Sequence, residues 1–153
     1  MPRATYRLEL ELSYNTWTDR AADLHAATPL VVERGIEPGE AVARGGRLEC
    51  ALYNPDGRYT PGHAAALPGF ETGIGVRLKA DFDGGEHTLF YGRLAAITPD
   101  VLAEGGRITR VEALDDMARL GQARLEAFPL WLEAAPGLLV NALVDAAIAP
   151  PGV

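Results

Sequence analysis

Val76-Arg77-Leu78-Lys79-Ala80-Asp81-Phe82, then Asp83-Gly84-Gly85, then Thr88-Leu89-Phe90-Tyr91: this stretch decides the fold class. Its first seven residues alternate apolar and polar, the two-residue period of a strand with one buried face. The glycine pair after Asp83 supplies the backbone freedom of a short hairpin loop, so the two arms read as antiparallel neighbours. Leu94 to Ile97 prolongs the second arm past Gly92, where a bend or bulge is expected.

Upstream, Tyr6-Arg7-Leu8-Glu9-Leu10-Glu11-Leu12 alternates without a fault. Tyr6, Leu8, Leu10 and Leu12 face one side, and the charged residues face the other. Asn15 to Asp19 breaks the pattern around Trp17, and a further apolar stretch, Leu30-Val31-Val32, leads to Gly35 and a turn at Glu37-Pro38-Gly39-Glu40. Arg47 to Tyr53 alternates again, with Leu48, Cys50 and Leu52 inward, and runs into Asn54-Pro55-Asp56-Gly57. There the proline presets φ, the Asn and Asp side chains cap their own backbone, and the glycine takes a positive φ. A loop rich in Pro, Gly and Ala follows from Thr60 to Phe70. A last strand, Arg107 to Ala113, comes after the turn at Glu104-Gly105-Gly106. Five or six strands at this spacing predict a mainly β fold, a small antiparallel barrel or sandwich.

The pattern changes at Leu114. Asp115-Asp116 can cap a helix containing Met117 and Leu120. A second helix is expected after Pro136, through Leu138, Leu139, Ala142, Leu143 and Ala146, until Pro150-Pro151-Gly152 stops it. Residues 1–113 therefore read as the β domain and 114–153 as a helical appendage, with the chain continuing into a further domain as one option.

The chain has 153 residues, 48% hydrophobic and 23% charged, which suffices for one core and argues against wholesale disorder. No apolar run reaches the roughly 20 residues that cross a bilayer, and the N-terminus has no secretory pattern. A formal charge of −7 argues against a phosphate-binding face. Lys79 is the only lysine among otherwise arginine cations, and Cys50, the only cysteine, cannot close an internal disulfide and reads as a small buried hydrophobe.

Chemistry is hard to find. His25, His63 and His87 lie far apart without metal-ligand spacing. Arg58 stands where a calcium loop starting at Asn54 would need an oxygen ligand. Gly73-Ile74-Gly75 is too short for a dinucleotide fingerprint. Ser13, the only serine, has no nucleophile context. Asp115-Asp116 is explained better by capping than by paired-carboxylate catalysis. The sequence predicts a protein that is not an enzyme and holds no cofactor or metal. Trp17, Tyr53, Tyr59, Phe70 and Tyr91 fit core packing and turn anchoring, with sugar stacking as the alternative.

Four segments resemble the hub and tail-tip proteins of long-tailed phages and prophages. They are Trp17-Thr18-Asp19 leading to Glu33-Arg34-Gly35; Leu52 to Gly62, similar to an Asn-x-Asp-Gly-Arg-aromatic-x-Pro turn; Gly73 to Leu78; and Leu89-Phe90-Tyr91-Gly92-Arg93-Leu94, with Glu112 to Asp116 closing the domain. Thr72 departs from the proline that often precedes the glycine of the third segment. The resemblance spans roughly residues 17 to 148. It implies a tail-tube-like β-barrel assembled into a homo-oligomeric ring, a trimer ahead of a hexamer, that joins the tail tube to tip or fibre proteins. The implied partners are tube, distal tail, fibre or spike and tape-measure proteins, with DNA only as passing cargo. The implied location is the virion tail tip, after synthesis in the host cytoplasm. An acidic lumen face would let DNA slide without sticking. Arg58, Arg93, Arg77 and Tyr59 are the expected interface residues, the arginines because their forks can pin turns or bridge subunits. The alternative is a stand-alone carbohydrate-binding β module.

Overall fold

The computed structural model describes residues 4–35, 44–82 and 84–122. The expected turn at Glu37-Pro38-Gly39-Glu40 and the expected second helix after Pro136 lie outside these residues. Seven strands form one antiparallel sheet: β1 (Thr5–Ser13), β2 (Thr16–Asp19), β3 (Val31–Gly35), β4 (Arg44–Tyr53), β5 (Gly75–Phe82), β6 (Gly85–Val101) and β7 (Arg107–Leu114). Their order in space is β2-β1-β5-β6-β7-β4-β3. The two end strands of that order are not hydrogen-bonded to each other, so the sheet stays open rather than closing into a barrel.

The long β6 explains the sandwich-like shape. Its first half, to Arg93, pairs with β5 (Leu78 opposite Phe90, Val76 opposite Gly92). Its second half pairs with β7 (Leu94 opposite Ala113, Ile97 opposite Val111), with a register shift between Leu94 and Ala96. A strand that changes partners across a bulge turns a sheet's corner. One half of the fold is therefore β2-β1-β5 and the other β7-β4-β3, with β6 common to both.

The inward faces of these halves make the core. Leu8, Leu10, Val76, Leu78 and Phe90 come from one, and Leu48, Cys50, Leu52, Leu94, Val111 and Ala113 from the other. These are the apolar positions of the alternating segments, at the period that puts every second side chain on one face. Tyr59 and Phe70 enter from the loop between β4 and β5, their rings 5.1 Å apart and near perpendicular. That loop, rich in small residues, thus closes one side of the core.

Two readings need correction. Thr16 to Asp19, expected to be a turn, is a strand; only Tyr14 and Asn15 turn, with Asn15 at φ 54°. Pairing with β1 (Glu11 opposite Trp17, Leu10 opposite Thr18) overrides the local turn propensity. Gly92 is not itself a bulge: the register shifts of β6 fall at Leu89 against β5 and at Ala95 against β7. It is glycine because a Cβ there would sit 2.4 Å from the Leu114 carbonyl oxygen.

The helix expected after Leu114 begins as α1 (Asp116–Gln122). Asp115 caps it by accepting the Ala118 amide at 2.7 Å, and its other oxygen accepts the Gly46 amide at 2.6 Å. One carboxylate thus starts the helix and ties it to β4. The helix lies so close that a Cβ on Gly45 would be 2.3 Å from the Ala118 Cα.

Replacing Gly92 with alanine should destabilise the fold by about 1–3 kcal/mol, because the added methyl meets backbone that must move. Gly121→Ala has open space around it and should be neutral or gain up to about 1 kcal/mol from helix propensity. Urea unfolding of the two variants checks the contrast.

Candidate assembly surface

The turn after β4 is held by one buried side chain. Asn54 donates through Nδ2 to the hydroxyls of Thr60 (2.9 Å) and Thr109 (2.8 Å), and its Oδ1 accepts the Tyr59 amide at 2.9 Å. Thr109, on β7, passes its own proton to the Tyr59 carbonyl at 3.0 Å. An amide can do this because it carries donors and an acceptor on one planar group. Pro55, Asp56 and Gly57 make the bend, with Gly57 at φ 82°.

Of the expected interface residues, Arg58 grips Asp56: its Nε and Nη2 reach Oδ2 at 2.9 and 2.7 Å, and its amide reaches Oδ1 at 3.1 Å. These contacts hold the Asp56 carboxyl down to about 2. Tyr59 has 0% of its surface exposed. Its hydroxyl donates to Asp23 at 2.5 Å, and burial together with that carboxylate pushes its own ionisation upward. A ring so enclosed has no surface to offer a partner in this form of the chain. Its work is to fasten the loop to the segment before β3.

Arg93 donates through Nη1 to the Gly73 carbonyl at 3.0 Å, fixing the entry to β5. Arg77 pairs with Glu9 and lies over Trp17, 4.1 Å from the ring centroid. The four residues do not converge on one spot. Arg58 and Tyr59 sit at the Asn54 turn, while Arg77 and Arg93 lie on the outer face of the β1–β5–β6 half, beside Tyr91.

Sequence reading missed the centre of that outer face. Glu9, read as solvent-facing, is only 8% exposed. Besides Arg77 it faces Lys79 at 3.5 Å, and Lys79 bonds Glu86 at 2.6 Å, which in turn meets Arg7 at 2.6 Å. A carboxylate this shielded is tolerable because two cations face it. Only the strand register could have revealed it, since Glu9 lies opposite Arg77 on β5.

Acidic residues elsewhere are also held in pairs within the chain: Glu49 and Glu112 with Arg47, Asp100 with Arg110, and Asp116 with Arg119. These side chains are not gathered into a bare acidic face. Exposed aromatic rings are dispersed as well. Tyr14 is in the β1–β2 turn, Tyr53 ends β4, Tyr91 is on the outer face, and Tyr6 and Phe82 lie where the inward stripe runs past the core. His87 stacks on Phe82 with centroids 4.4 Å apart. His25 bonds Thr28, and His63 accepts the Ala65 amide, so each histidine has a local partner. Among the described residues no three His, Cys, Asp or Glu side chains are grouped as a metal site requires. Burial pushes the Cys50 thiol up to about 12, which leaves it protonated at neutral pH.

Among the described residues the two sheet edges have backbone open to other chains. Along β2 (Thr-Trp-Thr-Asp) and β3 (Val-Val-Glu-Arg-Gly) one side of the backbone has no strand beside it among the described residues. Neither edge carries a proline or lysine; both are short, with Asp19 on β2 and Glu33 and Arg34 on β3 as their charged residues.

Asn54→Ala should cost about 2–3 kcal/mol, because it strands the buried Tyr59 amide and unties the two threonines; thermal and denaturant unfolding read this directly. Asp56 should titrate near pH 2 in a carboxyl-resolved NMR series. Its folded value lies below that of a free carboxyl, so its contribution to stability is present above about pH 4 and fades as the pH falls toward 2. Cys50 should stay unreactive to an aromatic disulfide reagent at pH 8 and react fully in denaturant.

No family model matches the chain, and no curated protein matches it. Among solved structures it is similar to the 43 kDa tail protein of prophage MuSo2 from Shewanella oneidensis, at 15% identity and a TM-score of 0.47. The likeness covers 81% of this chain and 32% of that one, so the chain spans about a third of that protein's length. A likeness of this size does not bear on what the chain does.

Proposed function

We propose that the chain is a non-enzymatic structural component of a phage-type tail, a subunit of the tail tip or baseplate hub. Copies of it form a ring, a trimer ahead of a hexamer, that joins the tail tube to tip or fibre proteins. It works in the virion beside tube, distal tail, spike and tape-measure proteins, with DNA as passing cargo and no bound cofactor.

The observation that carries this reading is the open sheet, whose opposite ends each leave one backbone edge unpaired among the described residues. In a head-to-tail ring each copy places one edge against the other edge of its neighbour, and closure leaves no edge exposed. The motifs that resemble tail-tip proteins support it from another side. The Asn54 turn and the Phe90-Tyr91-Gly92-Arg93 segment are the pieces that fasten the loop and turn the corner of the sheet. The carbohydrate-binding alternative needs several rings exposed on one face, and the exposed rings here point from separate places.

Light scattering on the purified chain, with negative-stain images of the same peak, tests the proposal. The expected mass is three times that of one chain, with six the other ring. Val31→Lys, which puts a charge on the β3 edge, should weaken assembly by about tenfold or more while leaving the fold intact. A chain that stays monomeric at every concentration overturns the self-assembling ring.

A further inference from the structure

Between the Asn54 turn and the loop end of the β6–β7 hairpin lies an open cleft of about 470 Å³. Pro99, which is exposed, is its apolar wall, with the fully buried Ile108 beneath, and Val101, 65% exposed, stands at its lip. Its polar groups are mainly donors. The Asn54 side chain is saturated by its three bonds, and the Thr60 hydroxyl, which accepts one of them, keeps its own proton to give. His63 accepts the Ala65 amide at Nδ1, 3.1 Å away, which assigns the neutral ring's proton to Nε2. The turn is shaped for this ring: a Cβ on Gly57 would lie 2.5 Å from the His63 Nδ1.

Arg107 completes the set. Arg47, Arg58, Arg77 and Arg110 each face a carboxylate. Arg107 makes no ion pair among the described residues. Asp100, the acid in the cleft lining, is already engaged: Oδ2 accepts from Arg110 at 3.1 Å and Oδ1 accepts the Val101 amide at 2.8 Å. In a chain of net charge −7, an unmatched guanidinium beside further donors and an apolar wall is a complementary surface for an anion with an apolar stem.

We propose that this cleft binds a glutamate or aspartate side chain flanked by aliphatic residues, presented by an exposed segment of a partner protein. The Arg107 fork takes the carboxylate, His63 and Thr60 add donors, and the stem lies against Val101 and Pro99. The inference goes beyond the ring and does not depend on it, since a monomeric chain would carry the same cleft.

An amide-resolved NMR titration of the full chain with a capped Leu-Val-Glu-Val-Leu peptide tests it. The expected result is saturable shifts confined to the surroundings of Gly57, His63, Val101 and Arg107, absent with the matched Gln peptide. Arg107→Gln should weaken binding about tenfold or more, the loss of a charge-assisted pair. Should Arg107→Gln disturb the spectrum beyond the cleft, Val101→Glu, which sets a competing carboxylate at the lip, should weaken binding in the same way. Equal binding of the Gln peptide, shifts elsewhere on the surface, or no saturable shift would overturn the proposal. Inorganic phosphate is the comparison probe: phosphate shifting the cleft amides while the peptide does not would overturn the peptide occupant.

Discussion

The passage of β6 from β5 to β7 is the constraint on which the rest of the structure depends. A single strand of 17 residues serves both halves of the fold, so whatever fixes its corner also fixes how the two inward faces meet. That corner is narrow: the backbone at Gly92 presses on the end of β7, and the register shift follows at Leu94 to Ala96. Leu94 then points into the core opposite Ala113, a large side chain against a small one. The Asn54 network acts at the other side of the same core, binding the loop that carries Tyr59 and Phe70 to β7. Both devices anchor on β7, which makes that strand the common support of corner and loop.

Electrostatics reinforces the same architecture. Arginines that would suit an intersubunit bridge are used within the chain, on Asp56, on Glu9 and on the Gly73 carbonyl. Exposed pairs of this kind contribute little each, whereas the shielded Glu9 with its two cations holds β1 against β5 in register. Backbone edges rather than charged side chains are therefore the natural means by which the proposed ring would close.

Much of the strand content was legible because burial on one face imposes a two-residue period. Leu8 and Leu10, Leu48, Cys50 and Leu52, and Val76 and Leu78 point inward where alternation places them. The cap at Asp115 was legible too, since its chemistry is local. What escaped reading depends on partners far away in sequence. Thr16 to Asp19 is a strand only because β1 lies beside it. Glu9 is shielded by Arg77, 68 residues on, and Asn54 is satisfied by Thr109, 55 residues on. Tyr59 follows an exposed turn in sequence, yet the same turn swings it into the core. The open edges escaped for a related reason: edges are a property of strand order, and strand order is set by long-range pairing.

Strand order also sets a schedule for synthesis. As the chain leaves the ribosome, β1 and β2 can pair at once, but β1 must wait for β5 before its other side is covered. β4 likewise waits for β7, which is made after β5 and β6. No closed core exists until the residues around Ala113 have emerged, and the apolar stripe of β1 has no partner on its β5 side until Gly75–Phe82 has been made. Such late, distant pairing makes for slow folding and a long exposed interval. The alternating Arg7, Glu9 and Glu11 on β1 give that waiting strand one charged face, a feature that opposes edge pairing between copies.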